Sequence, residues 1–423
     1  MLFRKKILKA RIKLKSKEIN CMGKIISTII ILFLSFSINI ANAQKTNIIL
    51  GIERISEYKE LFQGQRIGLI TNPTGIDKNL KSSVEIFSEC TNITAIFSPE
   101  HGFLGQISAG DNINNGYSLE YNLPIYTLYG NTKKPTPDML KNIDVLVFDI
   151  QDIGTRHYTY VSTMAYAMQA AQENKKKFVV LDRPNPLSGI MQGPILKSGN
   201  ESFIGLYPLP LRHGMTVGEL ALLFNKEYGI NADLTVIPML GWQRQLYFDE
   251  TNLPWVMTSP NIPTLNAALL YSCTGLFGGI NASEGIGTTL PFELVGLPNI
   301  DPYGFAREMN ALALPGVFFR PISFMPKFGK FAGQTCAGAQ IHITNRQTFN
   351  AAQTGFQIIK VLERLSPQDN FWLNRTTTSR KIDILLGENS IYSNAEATLE
   401  VFARWDKELE TFRKIASKYF LYH

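Results

Sequence analysis

Asp144-Val145-Leu146-Val147-Phe148-Asp149-Ile150 runs straight into Gln151-Asp152-Ile153-Gly154-Thr155-Arg156-His157. The first run is almost continuously apolar, with no polar alternation. That is the pattern of a strand buried on both faces, as in a parallel sheet, and the polar cluster after it marks its end. The same texture recurs at Arg66–Thr71, Ile93–Ser98, Phe178–Asp182 and Leu234–Pro238. Between these runs, Tyr160–Asn174 and Thr216–Tyr228 carry helical spacing, and Thr216 with Glu219 forms a capping-box pair at the start of the second. Strands alternating with helices predict an α/β layer fold built on a mostly parallel sheet.

From about Pro260 the texture changes to a stretch rich in Gly, Ser, Thr and Asn. It is followed by the strand-like runs Gly316–Pro321 and Gly338–Ile343 and the helical runs Phe349–Leu365 and Ser393–Lys418. We expect a first domain over 44–262 and a smaller second one over 263–423. The 423 residues, 45% hydrophobic and 18% charged, are enough for two ordinary domains.

The formal charge of +7 resides in the N-terminus, where residues 1–43 hold nine basic side chains and one acid, leaving the remainder near −1. Such a body gives no electrostatic reason to expect nucleic acid or an anionic membrane as partner. The basic stretch leads into the apolar run Ile25–Ile38 and then Ala41-Asn42-Ala43-Gln44, the make-up of a secretory signal peptide cut after Ala43. The apolar run is shorter than the ~20 residues that span a bilayer, so export, to the periplasm, is expected, with no membrane attachment after cleavage. Met22-Gly23-Lys24 would make a compact signal start by itself. Cys90, Cys273 and Cys336 of the mature chain are scattered and read as small hydrophobes rather than a disulfide framework.

Three strands end in polar clusters: Pro99-Glu100-His101-Gly102, Gln151–Arg156, and Asp182-Arg183-Pro184-Asn185-Pro186. Ligands of open parallel sheets bind beyond the carboxyl ends of the strands, so these clusters are expected to face one cleft. In the first, a carboxyl beside an imidazole suits acid/base chemistry, against the plainer alternative of a solvated acid and a capping histidine. In the second, Asp149 needs a partner if ionised, and Arg156 is available; a structural ion pair and a substrate site stand level. The double-proline turn of the third is explicable as structure alone. Arg212-His213 precedes a helix N-terminus, where backbone N–H groups favour anions. Glu284, in the glycine-rich loop Asn281–Thr289, suits either close approach to a ligand or a plain turn. Dinucleotide, phosphate-loop and serine-elbow patterns are lacking. His101, His157 and His213 have no metal-ligand spacing, so neither metal nor cofactor is expected.

Taken together, Gly68–Gly75, Phe97-Ser98-Pro99-Glu100-His101-Gly102-Phe103-Leu104-Gly105, Phe148–Arg156, Leu181–Pro186, Leu211–Thr216, Ser283–Glu293 and Phe331–Gly338 resemble, in order along the mature chain, the signature blocks of the exo-β-N-acetylmuramidase family called NamZ. The resemblance implies a Rossmann-like N-terminal domain, a smaller C-terminal α/β domain with a mixed sheet, and an active-site cleft between them. It implies release of N-acetylmuramic acid from non-reducing ends of peptidoglycan fragments, in cell-wall turnover and recycling. Glu100 becomes the first catalytic candidate, Glu284 the second and His101 a supporting residue. Asp149, Gln151, Asp152, Arg156, Tyr158, Asp182, Arg183, Asn185, Arg212 and His213 are the candidate substrate-binding residues. The chain departs from the family's pattern at Ile286, where a basic residue is usual, which bears on substrate contact there.

Glycoside hydrolysis usually needs two carboxyl groups across the scissile bond, one of them carrying a proton. Glu100 and Glu284 come from the two expected domains, so the cleft must close to bring them together. N-acetylmuramic acid carries a lactyl carboxylate, which a planar bidentate donor would read well; Arg156, Arg183 and Arg212 are the candidates, Arg212 first. Tyr158, Tyr160 and Trp255 could line the sugar. Two other classes fit the composition: another cell-wall hydrolase, and an exported sugar-binding protein, which would not need Glu100.

Overall fold

The computed structural model describes residues 45–108, 110–111, 113–366, 370–374, 380–392 and 397–423; the expected leader over 1–43 lies outside them. Residues Thr46–His423 form one compact unit.

The strands before residue 240 are β1 (Arg66–Thr71), β2 (Asn92–Ser98), β3 (Gly116–Ser118), β4 (Leu123–Thr127), β5 (Val145–Asp149), β6 (Lys177–Leu181), β7 (Gln192–Ile195), β8 (Pro210–Arg212) and β9 (Asp233–Ile237). All but β7 and β8 join one sheet in the order β3-β4-β2-β1-β5-β6-β9, parallel except for β3, which pairs antiparallel with β4. β7 and β8 form a separate antiparallel pair. In β5, Val145 and Val147 face one buried cluster while Leu146 and Phe148 face another. The unbroken apolar run of β5 reflects this two-sided burial. Helices α1 (Ser83–Cys90), α2 (Tyr160–Glu173) and α3 (Val217–Glu227) cover the faces. As the sequence predicts, Thr216 caps α3: its hydroxyl accepts from Glu219 N at 3.2 Å, and the Glu219 carboxylate accepts from Thr216 N at 3.1 Å.

The later part contains α4 (Leu265–Thr274), β10 (Leu294–Leu297), α5 (Pro302–Ala311), β11 (Val317–Phe324), β12 (Cys336–Ile343), α6 (Ala351–Leu365), α7 (Lys381–Leu386) and α8 (Thr398–Ala416). Its sheet, ordered β10-β12-β11, is antiparallel in both pairings, where a mixed sheet was expected. Two helices stitch this part to the first. α4 sends Leu269 into the large-sheet core and Leu270 and Cys273 into the second core; α8 sends Phe402 and Trp405 into the second and Leu409 and Phe412 into the first. Spacing of three and four residues on a helix makes such division possible. Cys273 and Cys336 are buried free thiols, and Cys90 is an exposed one.

Arg156 joins the parts by hydrogen bonds. Its guanidinium donates to the carbonyls of Pro194 (2.8 Å), Leu209 (2.6 Å), Leu385 (3.1 Å) and Leu386 (2.7 Å). The last two end α7, where a cation meets the negative end of the helix dipole. Gly387 follows in the left-handed region at φ +90°, and a Cβ there would stand 2.6 Å from Arg156 Nη2, so both backbone and space require glycine.

At the end of β6, Asp182 is fully buried. It accepts from Gly218 N (2.7 Å), Arg183 N (2.9 Å), the Thr216 hydroxyl (2.8 Å) and the Tyr422 hydroxyl (2.5 Å). Burial nevertheless pushes its carboxyl up to about 7. An unfolded aspartate titrates near ~3.9, so between about pH 4 and 7 the folded chain holds the extra proton. The contribution to stability is then full below about pH 4 and declines as pH rises toward 7, by up to about 1.4 kcal/mol per unit. In urea unfolding, the wild type should lose stability relative to Asp182→Asn as pH goes from 4.5 to 7.5. A constant difference between the two would contradict this.

Candidate active site

Glu100 sits where β2 ends. The next two residues, His101 (φ +72°) and Gly102 (φ +78°), are both left-handed and turn the chain sharply away from the strand. A histidine held there costs of order 1–3 kcal/mol, a strain typical of functional turns. His101 Nδ1 donates to the Ile107 carbonyl at 2.8 Å, which fixes the ring within its loop. The Glu100 carboxylate is nearly buried; it accepts from the Thr159 hydroxyl at 2.7 Å and from Gly110 N at 3.3 Å.

The cluster after β5 divides. Asp149 pairs in a buried two-point ion pair with Arg183 (2.6 and 2.9 Å), so its partner is Arg183 and not the expected Arg156. Gln151 donates to the carbonyls of Asp152 and Pro184. Asp152 accepts from Gly154 N at 2.7 Å and from His213 Nε2 at 3.2 Å. Since Met215 N donates to His213 Nδ1, the imidazole must carry its proton on Nε2, facing Asp152. Asn185 likewise holds backbone, through Met215 O and Leu187 N. These residues shape the strand ends from behind.

The three arginines expected to read a carboxylate do not line the cavity described below. Arg156 is spent on four carbonyls, and Arg183 on Asp149 and the Ile76 carbonyl. Arg212 is fully buried on the Leu187 carbonyl, with Gln192 and Ser188 at 3.4 Å. Burial lowers Arg212 and brings Arg156 down to about 9.

The three residues after Arg156, namely His157, Tyr158 and Thr159, line enclosed space. They join Glu100 and His101 in a cavity of about 280 Å³ that the second part also walls: Tyr271, Thr274 and Gly275 of α4 and its end, Glu284 and Ile286 of the glycine-rich loop, and Phe292 beyond it. Tyr129 and Phe203 complete it. Glu100 and Glu284, distant in sequence, thus line one cavity. Lys330 Nζ binds Glu284 Oε2 at 3.0 Å and is itself held by the carbonyls of Phe277 (2.6 Å) and Ala282 (3.2 Å). Two carboxyl groups in different settings, one beside an ammonium and one among neutral donors, are suited to divided acid and base work. Burial raises the phenol of Tyr129, which keeps it a donor.

Sequence reasoning missed Tyr129, Thr159, Phe203, Tyr271 and Lys330, whose apolar or isolated polar character reads as core or surface. Tyr160 gives its hydroxyl to the Thr258 carbonyl, and Trp255 packs on Phe248 beside a separate small recess; neither lines the cavity.

Residues 67–266 match the family described as exo-beta-N-acetylmuramidase NamZ, N-terminal, and residues 269–422 match its C-terminal counterpart. A peptidoglycan beta-N-acetylmuramidase NamZ of Bacillus subtilis (strain 168) is 48% identical over 387 residues, covering 90% of this chain and 92% of that protein. Two crystal structures of DUF1343 family proteins from Bacteroides fragilis NCTC 9343 are similar in fold. One has a TM-score of 0.80 at 37% identity, the other 0.70 at 31%, each covering 89% of this chain and 99% of its own.

His157 is the test of the cavity floor. Its ring leans on Tyr271 (centroids 4.7 Å apart), and neither nitrogen makes a well-formed hydrogen bond. Burial, and then the neighbouring Arg156 charge, bring it down to about 3. Nitrogen NMR of the imidazole should therefore show a neutral ring from pH 4 to 8. A titration centred near ~6.5, the value of a free histidine, would contradict this enclosure.

Proposed function

The chain belongs to the exo-β-N-acetylmuramidase NamZ family, and we infer that it releases N-acetylmuramic acid from non-reducing ends of peptidoglycan fragments. The observation that carries the reading to this chain is the meeting of Glu100 and Glu284 in one cavity. Its volume of about 280 Å³ is at the lower end of small-molecule sites, which suits one terminal sugar rather than a long polysaccharide groove.

We assign the general-acid role to Glu100, whose partners are the neutral Thr159 hydroxyl and Gly110 N–H rather than a cation. Glu284, beside the Lys330 ammonium, takes the role of the ionised partner. As the bond from the sugar's anomeric carbon to the leaving oxygen breaks, the Glu100 proton passes to that oxygen. Positive charge grows on the sugar ring, where the Glu284 carboxylate stabilises it, and water finally supplies the hydroxyl at the anomeric carbon. His101 steadies the Glu100 turn through Ile107.

We also propose export: a leader over 1–43 would carry the enzyme to a substrate that lies outside the cytoplasm. N-terminal sequencing of the exported protein should then begin at Gln44.

The roles separate by leaving group. On a natural muramyl disaccharide, Glu100→Gln and Glu284→Gln should each lower kcat/KM by about 10²–10⁴-fold. On an aryl β-N-acetylmuramide with a weakly basic leaving group, protonation matters less. Glu100→Gln should then recover most of its kcat/KM while Glu284→Gln stays impaired. Full activity of Glu100→Gln on the disaccharide would remove Glu100 from the chemistry.

A further inference from the structure

N-acetylmuramic acid differs from other N-acetylated hexosamines by its lactyl carboxylate, yet the cations expected to bind that group are committed elsewhere. Three arginines lie on backbone carbonyls or Asp149, and Lys330 is held three ways. His157 on the cavity floor is kept uncharged. A carboxylate pushed against that floor would meet polarity without charge. Among the described residues, no lysine or arginine lines the cavity, so the counter-charge has to come from just beyond its walls.

One cation next to a lining side chain has no ion pair among the described residues. Lys133 lies in the loop after β4, past a strand carboxyl end, and its ammonium sits 4.8 Å from the centre of the Phe203 ring. Phe203 lines the cavity, as does Tyr129 of the same loop as Lys133; the two rings are 6.0 Å apart. The neighbouring Lys134 is paired with Glu173. A lysine resting on an aromatic face is held near its target at small cost, and its three donors leave it free to accept an oxyanion.

We propose that Lys133, resting on the cavity-lining Phe203, is the specificity residue that binds the lactyl carboxylate of the terminal sugar. The proposal rests on the muramidase reading above. It orients the sugar with its carboxylate toward the β4 loop and its neutral polar groups toward His157.

The test compares wild type, Lys133→Met and Lys133→Arg on an aryl β-N-acetylmuramide and on the same compound with the lactyl carboxylate converted to its methylamide. Wild type should favour the acid over the amide by about 10- to 100-fold in kcat/KM, the size of a charge-assisted hydrogen bond. Lys133→Met should lose that preference by slowing only on the acid, and Lys133→Arg should restore most of it. The preference in wild type should also shrink with added salt. An undiminished preference in Lys133→Met, or none in wild type, overturns the proposal and leaves the muramidase reading standing. Failure of folded wild type to turn over either compound removes the reading, and the proposal with it.

Discussion

A guanidinium buried on carbonyl oxygens alone underlies the arrangement of the whole site. Enclosing an ion in protein costs several kcal/mol unless it is compensated, and four carbonyls from three separate stretches of chain satisfy both terminal nitrogens of Arg156, while its Nε has no partner among the described residues. The β7–β8 pair, the loop leading into β8 and the end of α7 are thereby fastened to the segment that leaves β5. His157, Tyr158 and Thr159 come directly after Arg156, so the same fastening aims three successive side chains into the cavity. Thr159 passes that order to Glu100 by one hydrogen bond at 2.7 Å. The order at Glu100 is thus inherited from a residue that does not line the cavity.

The seam between the two cores explains why the cavity lies where it does. α4 and α8 each bury side chains in both cores, so the parts are packed as one body and the carboxyl groups already share a space. Closing a cleft to unite Glu100 with Glu284, the expectation from their separation in sequence, is not required. Hydrophobic contact sets the frame, and the charged groups are added at its edges: Lys330 at Glu284 on one side, neutral donors at Glu100 on the other.

The central sheet was legible because strands buried on both faces leave long apolar runs, and the capping box at Thr216 and Glu219 marked a helix start to the residue. The short strands β3, β7 and β8 were not legible. Three or four residues with glycine and proline carry no periodicity, and only pairing partners define them. Within the site, the turn at Glu100 and the loop at Glu284 stood out by composition. The arginines misled because sequence reveals a charge but not the direction in which its side chain is packed. Lys133 escaped notice for the opposite reason: a pair of adjacent lysines in a loop looks like ordinary surface, and only the position of Phe203 gives it a place.

Tyr422, which donates to Asp182 at the end of β6, has a consequence in time. The two residues are 240 positions apart, so the last donor to that buried carboxyl leaves the ribosome long after the strand it completes. At ordinary rates of synthesis the interval is on the order of tens of seconds. During it, the parallel sheet has its strands but lacks the tyrosine that also accepts from Met239 N, just past β9. The hydrogen-bond set of Asp182 is therefore completed only once the C-terminal residues have been made.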